Sequence, residues 1–280
     1  MKTEFDNVIA QAIEDGGKKF YALFSGGKDS VTVAHKLHSA GLLEACVFVD
    51  TSICLKETKD FVTEYCNKQG WKLIVLDRMG KCKTYDEFVM QYGFPSRAWH
   101  NIAMRELKWK PLYYWVMQHK DEGIVLCSGV RSKESKRRMT NTEPYARDKS
   151  CKHMRWCAPI HDWSDKEVWD YIHEKGLERS PVYSTLGMSG DCLCGAFSSH
   201  AEAELISMFH PDMAERLKEL ENRCPKKRNT WGNQSSMVGA LSQERLSFEC
   251  ADCVNSCDSL KHLAKTITKE KEESQQHKPA

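Results

Sequence analysis

The sequence predicts an α/β fold of the Rossmann-like type, a parallel sheet with helices on both faces, followed by a small cysteine-rich helical segment. Through the first half of the chain, short apolar runs alternate with helical patterns, as expected for parallel strands joined by helical crossovers. Polar motifs follow three of the apolar runs, at Ser25, Asp50 and Gly129. Because ligands gather at the carboxyl ends of strands in such sheets, the fold class also predicts where a site lies.

Each predicted element has its own local signal. Apolar residues at helical spacing predict a first helix over residues 3–19. The segment Ser164–Glu167 fits a capping box and predicts that a helix starts there. Apolar runs predict strands at Tyr21–Phe24, Ala45–Val49, Lys72–Leu76 and Ile124–Ser128. The remaining predicted helices are Val31–Ala40, Thr58–Gln69, about Arg97–Lys120 and Glu202–Arg223.

These patterns divide the chain into three parts. Residues 1–184 carry the predicted sheet, and residues 185–262 are expected to form a smaller segment supported by a metal. The polar tail, 263–280, is expected to be disordered. With 41 Lys and Arg against 39 Asp and Glu, the overall charge excludes no partner class. No apolar run of about 18 residues is present, and the N-terminus lacks the apolar stretch of a signal peptide, so we expect no membrane association and a cytoplasmic location.

The most informative stretch is Ser25-Gly26-Gly27-Lys28-Asp29-Ser30, between an apolar strand and a helical pattern. A glycine turn that opens a helix points backbone N–H groups and the helix N-terminus at one spot, which suits a phosphate or pyrophosphate. The spacing differs from the Walker loop, which has four residues between its first glycine and the Gly-Lys pair. All six residues are therefore candidate ligand contacts.

Two further strand ends carry candidate residues. Asp50 and Thr51 follow the second strand, where Asp50 could bind ribose, adenine or Mg²⁺ or simply form a turn. Gly129 follows a later strand and opens a basic stretch with Arg131 and Arg138, whose guanidinium groups could bind phosphate or sulfate bidentately. Nine Lys and Arg face three acids between residues 131 and 155, so this region favours a polyanionic partner such as nucleotide phosphates or a nucleic acid.

Cysteine usage points to metal or redox chemistry. The chain has 13 cysteines, which in a cytosolic protein are more often ligands or reactive thiols than disulfides. The pairs Cys192/Cys194 and Cys250/Cys253 could supply four thiolates to a structural Zn²⁺ or to a [4Fe–4S] cluster. Cys157 is ambiguous, because it could be a buried thiol, a redox residue or a metal ligand.

Together these motifs, over about residues 20–200, resemble the PAPS reductase-like group of the PP-loop (N-type) ATP pyrophosphatases, which have an adenine nucleotide alpha-hydrolase-like fold of the HUP type. Ser25–Ser30 is similar to the PP-loop, Gly129–Arg138 to the Gly-x-Arg-x-x-Glu-Ser-x-x-Arg signature, and Pro159–Ser164 to the segment that precedes the next helix. The resemblance implies that Asp50 and Thr51 lie beside adenosine. Two reductase features are absent: the C-terminal Lys-x-Glu-Cys-Gly-x-His signature and the adjacent Cys-Cys pair.

The resemblance implies an enzyme that binds ATP with Mg²⁺ and adenylates an acceptor for sulfur transfer. Lys28, Arg131, Arg138 and Cys157 are the expected catalytic residues. The alternatives are a PAPS or APS reductase that uses a cysteine thiolate, and a nucleotide-binding subunit without turnover. The expected partners are a sulfur donor such as a cysteine desulfurase or a thioredoxin-like protein, an acceptor that is DNA, tRNA or a small molecule, and a second copy of the chain.

Overall fold

The computed structural model describes residues 4–77, 82–134, 142–226 and 230–231, and one sheet organises them. Its strands are β1 (Lys19–Leu23), β2 (Leu43–Val49), β3 (Leu73–Leu76), β4 (Ile124–Cys127), β5 (Tyr145–Arg147) and β6 (Arg155–Cys157). They lie in the order β3-β2-β1-β4-β6-β5. Neighbouring strands are parallel except for β5 and β6, which form an antiparallel pair at one edge. The predicted Rossmann-like fold class is confirmed.

Helices connect and cover these strands. They are α1 (Glu4–Glu14), α2 (Lys28–Ser39), α3 (Lys56–Gln69), α4 (Tyr85–Tyr92), α5 (His100–Met104), α6 (Lys110–Gln118), α7 (Asp165–Glu174), α8 (Val182–Leu186), α9 (His200–Phe209) and α10 (Pro211–Arg223). A turn of π-helix, Arg105–Trp109, joins α5 to α6. Within the described ranges, no helix is both long enough and apolar enough to cross a membrane.

The strands bury both faces because successive side chains point to opposite sides of the sheet. Phe20 packs into a cluster with residues from α1, α2 and α3. The next residue, Tyr21, packs on the other face against Trp115 of α6, with ring centroids 4.9 Å apart. Helices on both faces leave the ends of the strands as the places where a ligand can reach the sheet.

A third apolar cluster holds the helices that follow residue 185. Leu205 of α9 and Leu217 of α10 share this cluster with Tyr85 and Phe88 of α4 and with Leu107 of the π turn. The described residues of the cysteine-rich segment therefore pack against residues 85–107 of the first part of the chain. The predicted tail, 263–280, lies outside the described residues.

The structure departs from the predicted elements at identifiable points. The helix predicted over Glu202–Arg223 is two helices, because Pro211 lacks the N–H that would continue α9. The helix predicted over 3–19 ends at Glu14, followed by Gly16 with φ +81°. Strands β5 and β6 were not predicted, since three residues with charged ends give no periodic signal.

Candidate functional site

A cavity of about 530 Å³ opens at the carboxyl ends of β1, β2 and β4. One wall is the glycine loop, through Ser25, Gly27, Asp29 and Ser30. The apolar lining includes Val47, Val49, Leu112, Trp109 and Trp156, and the lining also includes Met104, Lys108, Tyr183, Ser189 and Asp191. Its size and its mixture of an apolar interior with few polar groups are typical of small-molecule sites.

The loop geometry fits the anion cradle that the sequence predicts. Gly26 has φ +74°, a left-handed conformation that a side chain would strain. The Ser30 hydroxyl donates to the carbonyl of Gly27 (2.9 Å) and accepts from the N–H of Ser25 (3.3 Å), which closes the loop on itself. Helix α2 begins at Lys28 without a side-chain cap, so first-turn N–H groups that lack intrahelical partners stand at the cavity wall.

Two cations and two carboxylates form a network beside the loop. Lys28 Nζ lies 3.0 Å from Asp29 Oδ2 and 2.8 Å from Asp165 Oδ1. Arg131, only 2% exposed, donates through Nε to Asp29 (2.7 Å), through Nη2 to Asp165 (2.9 Å) and through Nη1 to the carbonyl of Trp163 (3.3 Å). The sequence led us to expect the Arg131 fork on a phosphate, but the structure places it on carboxylates. Neither Lys28 nor Arg131 is among the described residues that line the cavity.

Gly129 allows the strand end after β4 to approach the loop closely. A Cβ at this position would lie 2.7 Å from Asp29 Cβ and 2.8 Å from the Asp29 carbonyl carbon. Real Cβ atoms do not approach a backbone carbon that closely, so only glycine fits here. Gly129 also lines the cavity, together with Ser128 and Val130.

Asp50 and Thr51 have other contacts than the ones expected. Asp50 accepts hydrogen bonds from Lys59 Nζ (2.7 Å) and from the N–H of Ser52 (2.8 Å). Burial is the largest single effect on Asp50 and opposes its ionisation. The hydrogen bonds from Lys59, Ser52 and Cys54 and the charge of Lys59 together outweigh burial and lower the pKa of this carboxyl. Thr51, 2% exposed, donates to the carbonyl of Asp191 (3.1 Å). Neither residue belongs to the described lining of the cavity, so both brace its rim.

Sequence reasoning missed the part of the cavity wall that comes from the π turn and from the segment around residues 183–191. The π turn brings Lys108 and Trp109 into the cavity, next to Met104. Lys108 Nζ lies 2.5 Å from Asp191 Oδ2 and links this helix to the segment before the cysteine pair. A π turn inside a helix is frequent at functional sites, but nothing in the residue pattern of 100–118 marks it. Lys108 and Asp191 are 83 positions apart in the sequence, and only the fold brings them together.

Cys192 and Cys194 are adjacent to this wall and to each other. A hydrogen bond from the Cys194 thiol lowers the pKa of Cys192 to about 7, against the opposing effect of burial, and the nearby Lys108 ammonium acts in the same direction. The same hydrogen bond raises the pKa of Cys194. The other two predicted ligands, Cys250 and Cys253, lie outside the described residues, as does Arg138.

Cys157 belongs to the core. It lies on β6, is 1% exposed, and packs beside Cys127 of β4 within the main apolar cluster. A hydrogen bond links the two thiols. Of the three interpretations that the sequence left open, this position favours the packing thiol, because the side chain does not reach the described cavity wall.

Comparisons with known proteins agree with these motifs. A family model described as "Phosphoadenosine phosphosulfate reductase domain" matches residues 19–189. An uncharacterized protein of Methanocaldococcus jannaschii is 30% identical over 196 residues, which are 63% of this chain and 44% of that protein. This chain therefore spans less than half the length of that relative. An adenosine 5'-phosphosulfate reductase of Bacillus cereus is 23% identical over 180 residues, covering 63% of this chain and 73% of the reductase.

Two solved structures with a similar architecture are those of enzymes with different activities. A PAPS reductase from Candida auris, in a phosphate complex, has 15% identity and a TM-score of 0.48, covering 65% of this chain and 84% of that one. The U34-tRNA thiolase NcsA from Methanococcus maripaludis, with its [4Fe–4S] cluster, has 14% identity and a TM-score of 0.46, covering 88% and 82%. Because the family model matches more than half of the residues, the protein belongs to the phosphoadenosine phosphosulfate reductase domain family.

Proposed function

We propose that this protein is an ATP pyrophosphatase that adenylates an acceptor in preparation for sulfur transfer. The observation that carries the proposal is the cavity itself, which has a phosphate cradle at Ser25–Ser30 on one side and an apolar interior on the other. A helix N-terminus binds anions through its N–H groups and its dipole. The apolar interior, with Trp109 and Trp156, suits the flat face of a purine base. The site therefore fits an adenine nucleotide with its phosphates at the loop.

In the proposed reaction, an acceptor oxygen forms a bond to the α-phosphorus of ATP bound with Mg²⁺. The bond between that phosphorus and the oxygen bridging to the β-phosphate breaks, and pyrophosphate leaves into the loop. Backbone N–H groups of the loop and first turn of α2 stabilise the charge that develops on the leaving group. A sulfur donor then attacks the adenylated atom and AMP departs with the oxygen.

The three candidate phosphate-binding cations, Lys28, Arg131 and Arg138, have distinct roles in this proposal. Lys28 directly follows Gly27 and supplies positive charge beside the leaving pyrophosphate. Arg131 is a positioning residue, because its donors hold Asp29 and Asp165 rather than pointing into the cavity. Arg138 remains a proposed phosphate contact from the sequence motif.

The cysteine pair is proposed to hold half of a metal site. Cys192 and Cys194 have their thiols within hydrogen-bond reach of each other, which fits two ligands of one ion or cluster. With Cys250 and Cys253 they would bind Zn²⁺ or a [4Fe–4S] cluster. Such a group supplies either a structural clamp or a Lewis-acidic site for sulfur. The chain's own contribution is to fix Cys192 beside Asp191, which lines the cavity.

A reductase that attacks the sulfate of APS or PAPS with a thiolate is the second candidate. The curated relatives named adenosine 5'-phosphosulfate reductase, over about 60% of this chain, favour it. The phosphate cradle at the glycine loop, which suits a leaving pyrophosphate, supports adenylation. Both candidates place a nucleotide in the same cavity, so turnover has to distinguish them.

The two reactions release different products, which gives a direct test. Purified protein is incubated with ATP and Mg²⁺ and, separately, with APS or PAPS and a thiol reductant. We expect pyrophosphate from ATP, and we expect Lys28→Ala to lower its release by at least tenfold because the loop loses its cation. Lys166→Ala is the matched control, since this lysine pairs with Asp170 on the exposed face of α7, and it should behave as wild type.

Two outcomes would contradict the proposal. Sulfite release from APS or PAPS without pyrophosphate release from ATP would assign the reductase reaction. ATP binding with no pyrophosphate release, even with cysteine desulfurase and nucleic-acid acceptors added, would leave a nucleotide-binding subunit. A thermal melt of Lys28→Ala, compared with wild type, separates lost chemistry from lost fold.

A further inference from the structure

Arg179 has an unusual environment for a charged side chain. Its Cζ lies over two aromatic rings, 4.7 Å from the centroid of Trp169 and 5.0 Å from that of Tyr183. In the described residues its guanidinium makes no ion pair and no hydrogen bond. Rings stacked on the faces of a guanidinium hold it in place and leave its N–H donors at the edge, where they can bind a planar or tetrahedral anion.

The segment that carries Arg179 touches the phosphate loop. The N–H of the next residue, Ser180, donates to the carbonyl of Gly26 (2.8 Å). Tyr183 lines the cavity, and its Cε2 lies 3.4 Å from where a Cβ on Gly27 would stand. The Tyr183 ring is therefore close both to the Arg179 guanidinium and to the glycine loop, although Arg179 itself is not among the described residues that line the cavity.

The charges around the loop explain why another cation is needed there. Lys28 and Arg131 are balanced by Asp29 and Asp165, with every contact at 3.0 Å or less. These two carboxylates offset part of the positive charge that Lys28 and Arg131 present to a bound triphosphate. A triphosphate carries three to four negative charges, and charge-assisted bonds to a cation stabilise it further. Arg179 is a cation near the loop that has no ion pair with a carboxylate among the described residues.

We propose that Arg179 binds the terminal phosphates of the nucleotide, with Trp169 and Tyr183 holding its guanidinium flat against the mouth of the cavity. This inference deepens the proposed function and rests on it. Arg179 then selects nucleotides by their phosphate chain: it contacts the β- and γ-phosphates of a triphosphate, whereas a monophosphate is too short to reach it. The residue is a specificity determinant for the polyphosphate rather than for the base.

The test measures binding of three probes by calorimetry: ATP with Mg²⁺, inorganic pyrophosphate and AMP. Arg179→Ala should weaken ATP and pyrophosphate by about tenfold to a hundredfold, as expected for lost charge-assisted hydrogen bonds, and should leave AMP within about twofold. Arg179→Lys should lose less than Arg179→Ala because it keeps the charge. Arg223→Ala, at the exposed end of α10, is the matched control and should bind all three probes as wild type does.

Folding is checked separately, because Arg179 packs on two rings. Should the alanine variant melt at a much lower temperature, Arg179→Gln keeps most of the side-chain stem and must show the same selective loss. Wild-type affinity of the neutral variants for ATP and pyrophosphate would overturn this inference and leave the proposed function standing, and so would an equal loss for AMP. A wild-type protein that binds none of the three probes would overturn both.

Discussion

At the scale of single residues, the central feature is that two cations beside the loop share the same two carboxylates. Lys28 and Arg131 both contact Asp29 and Asp165. The loop motif identified Lys28 and Asp29 from sequence, and the basic stretch after Gly129 identified Arg131, but neither motif predicted how these residues pair. Asp165 follows the capping residue of α7, and its position in the sequence is typical of an ordinary acid in the first turn of a helix. Lys28, its partner at the loop, is 137 positions away in the chain. No local sequence pattern predicts such a contact.

Gly129 provides a residue-scale prediction. Gly129→Ala should weaken ATP binding, because its Cβ would meet the backbone of Asp29 at 2.8 Å and push the loop out of position. We expect a loss of stability of about 1–3 kcal/mol from overpacking. Calorimetry with ATP and thermal melting measure the two effects.

Gly41→Ala is the matched control for this prediction. Gly41 has φ +69° and open space around its missing Cβ, so alanine there should cost about 1 kcal/mol of backbone strain without touching the loop. Similar melting temperatures with a selective loss of ATP affinity in Gly129→Ala are the expected pattern. Equal ATP affinity in the two variants would show that Gly129 does not position the loop.

At the scale of elements, the end of α1 is tied to the edge hairpin formed by β5 and β6. Asp15, just after α1, accepts hydrogen bonds from Arg147 and from the Tyr145 hydroxyl of β5. Arg155 of β6 donates to the Asp15 carbonyl (3.0 Å). The sequence predicted α1 but not this hairpin, because strands of three residues are defined by long-range pairing rather than by local propensity.

This contact predicts a pH-dependent stability. The hydrogen bond from Arg147, with a further one from Tyr145, lowers the pKa of Asp15 from 3.8 to about 2. A carboxyl with a depressed folded-state pKa stabilises the fold above its unfolded pKa and loses that effect as the pH falls. We therefore expect Asp15→Asn to be less stable than wild type by about 1 kcal/mol at neutral pH, after allowance for solvent screening. The difference should shrink as the pH falls from about 4 to 2.

Urea unfolding at several pH values measures this difference directly. Asp170→Asn serves as the control, since Asp170 pairs with Lys166 on the exposed face of α7 and such pairs add little. A stability difference for Asp15→Asn that stays constant between pH 7 and pH 2 would contradict the proposed role of the ionised carboxyl.

At the scale of the whole molecule, the cavity is assembled from segments that only the fold unites. The loop, the strand ends and the sheet were predictable, because alternating strands and helices place polar motifs at one edge. The rest of the cavity wall was not predictable, since Lys108, Tyr183 and Asp191 belong to no motif. It depends on the packing of α8 and the cysteine-rich segment against α4 and the π turn. The long-range packing of irregular segments is the feature that is hardest to predict from a single sequence.

The cysteine pair gives a prediction for the intact chain. Protein purified without oxygen should contain zinc or iron in stoichiometric amounts, and Cys192→Ser should lower the metal content to half or less. Cys151→Ser is the control, because this thiol is buried in the core and contacts the sulfur of Met117. Absorbance near about 400 nm would identify an iron–sulfur cluster. Metal-free wild-type protein, or unchanged metal in Cys192→Ser, would contradict the ligand assignment.

We propose that the loop holds the β- and γ-phosphates of ATP as the leaving group. The most direct measurement identifies the products formed from ATP by the purified protein with Mg²⁺, an acceptor and a sulfur donor. We expect AMP and pyrophosphate in equal amounts, and both should fall by at least tenfold in Lys28→Ala. Formation of ADP and orthophosphate would show that the bond between the β- and γ-phosphates breaks instead, which would contradict the proposal. Unreacted ATP would contradict it as well.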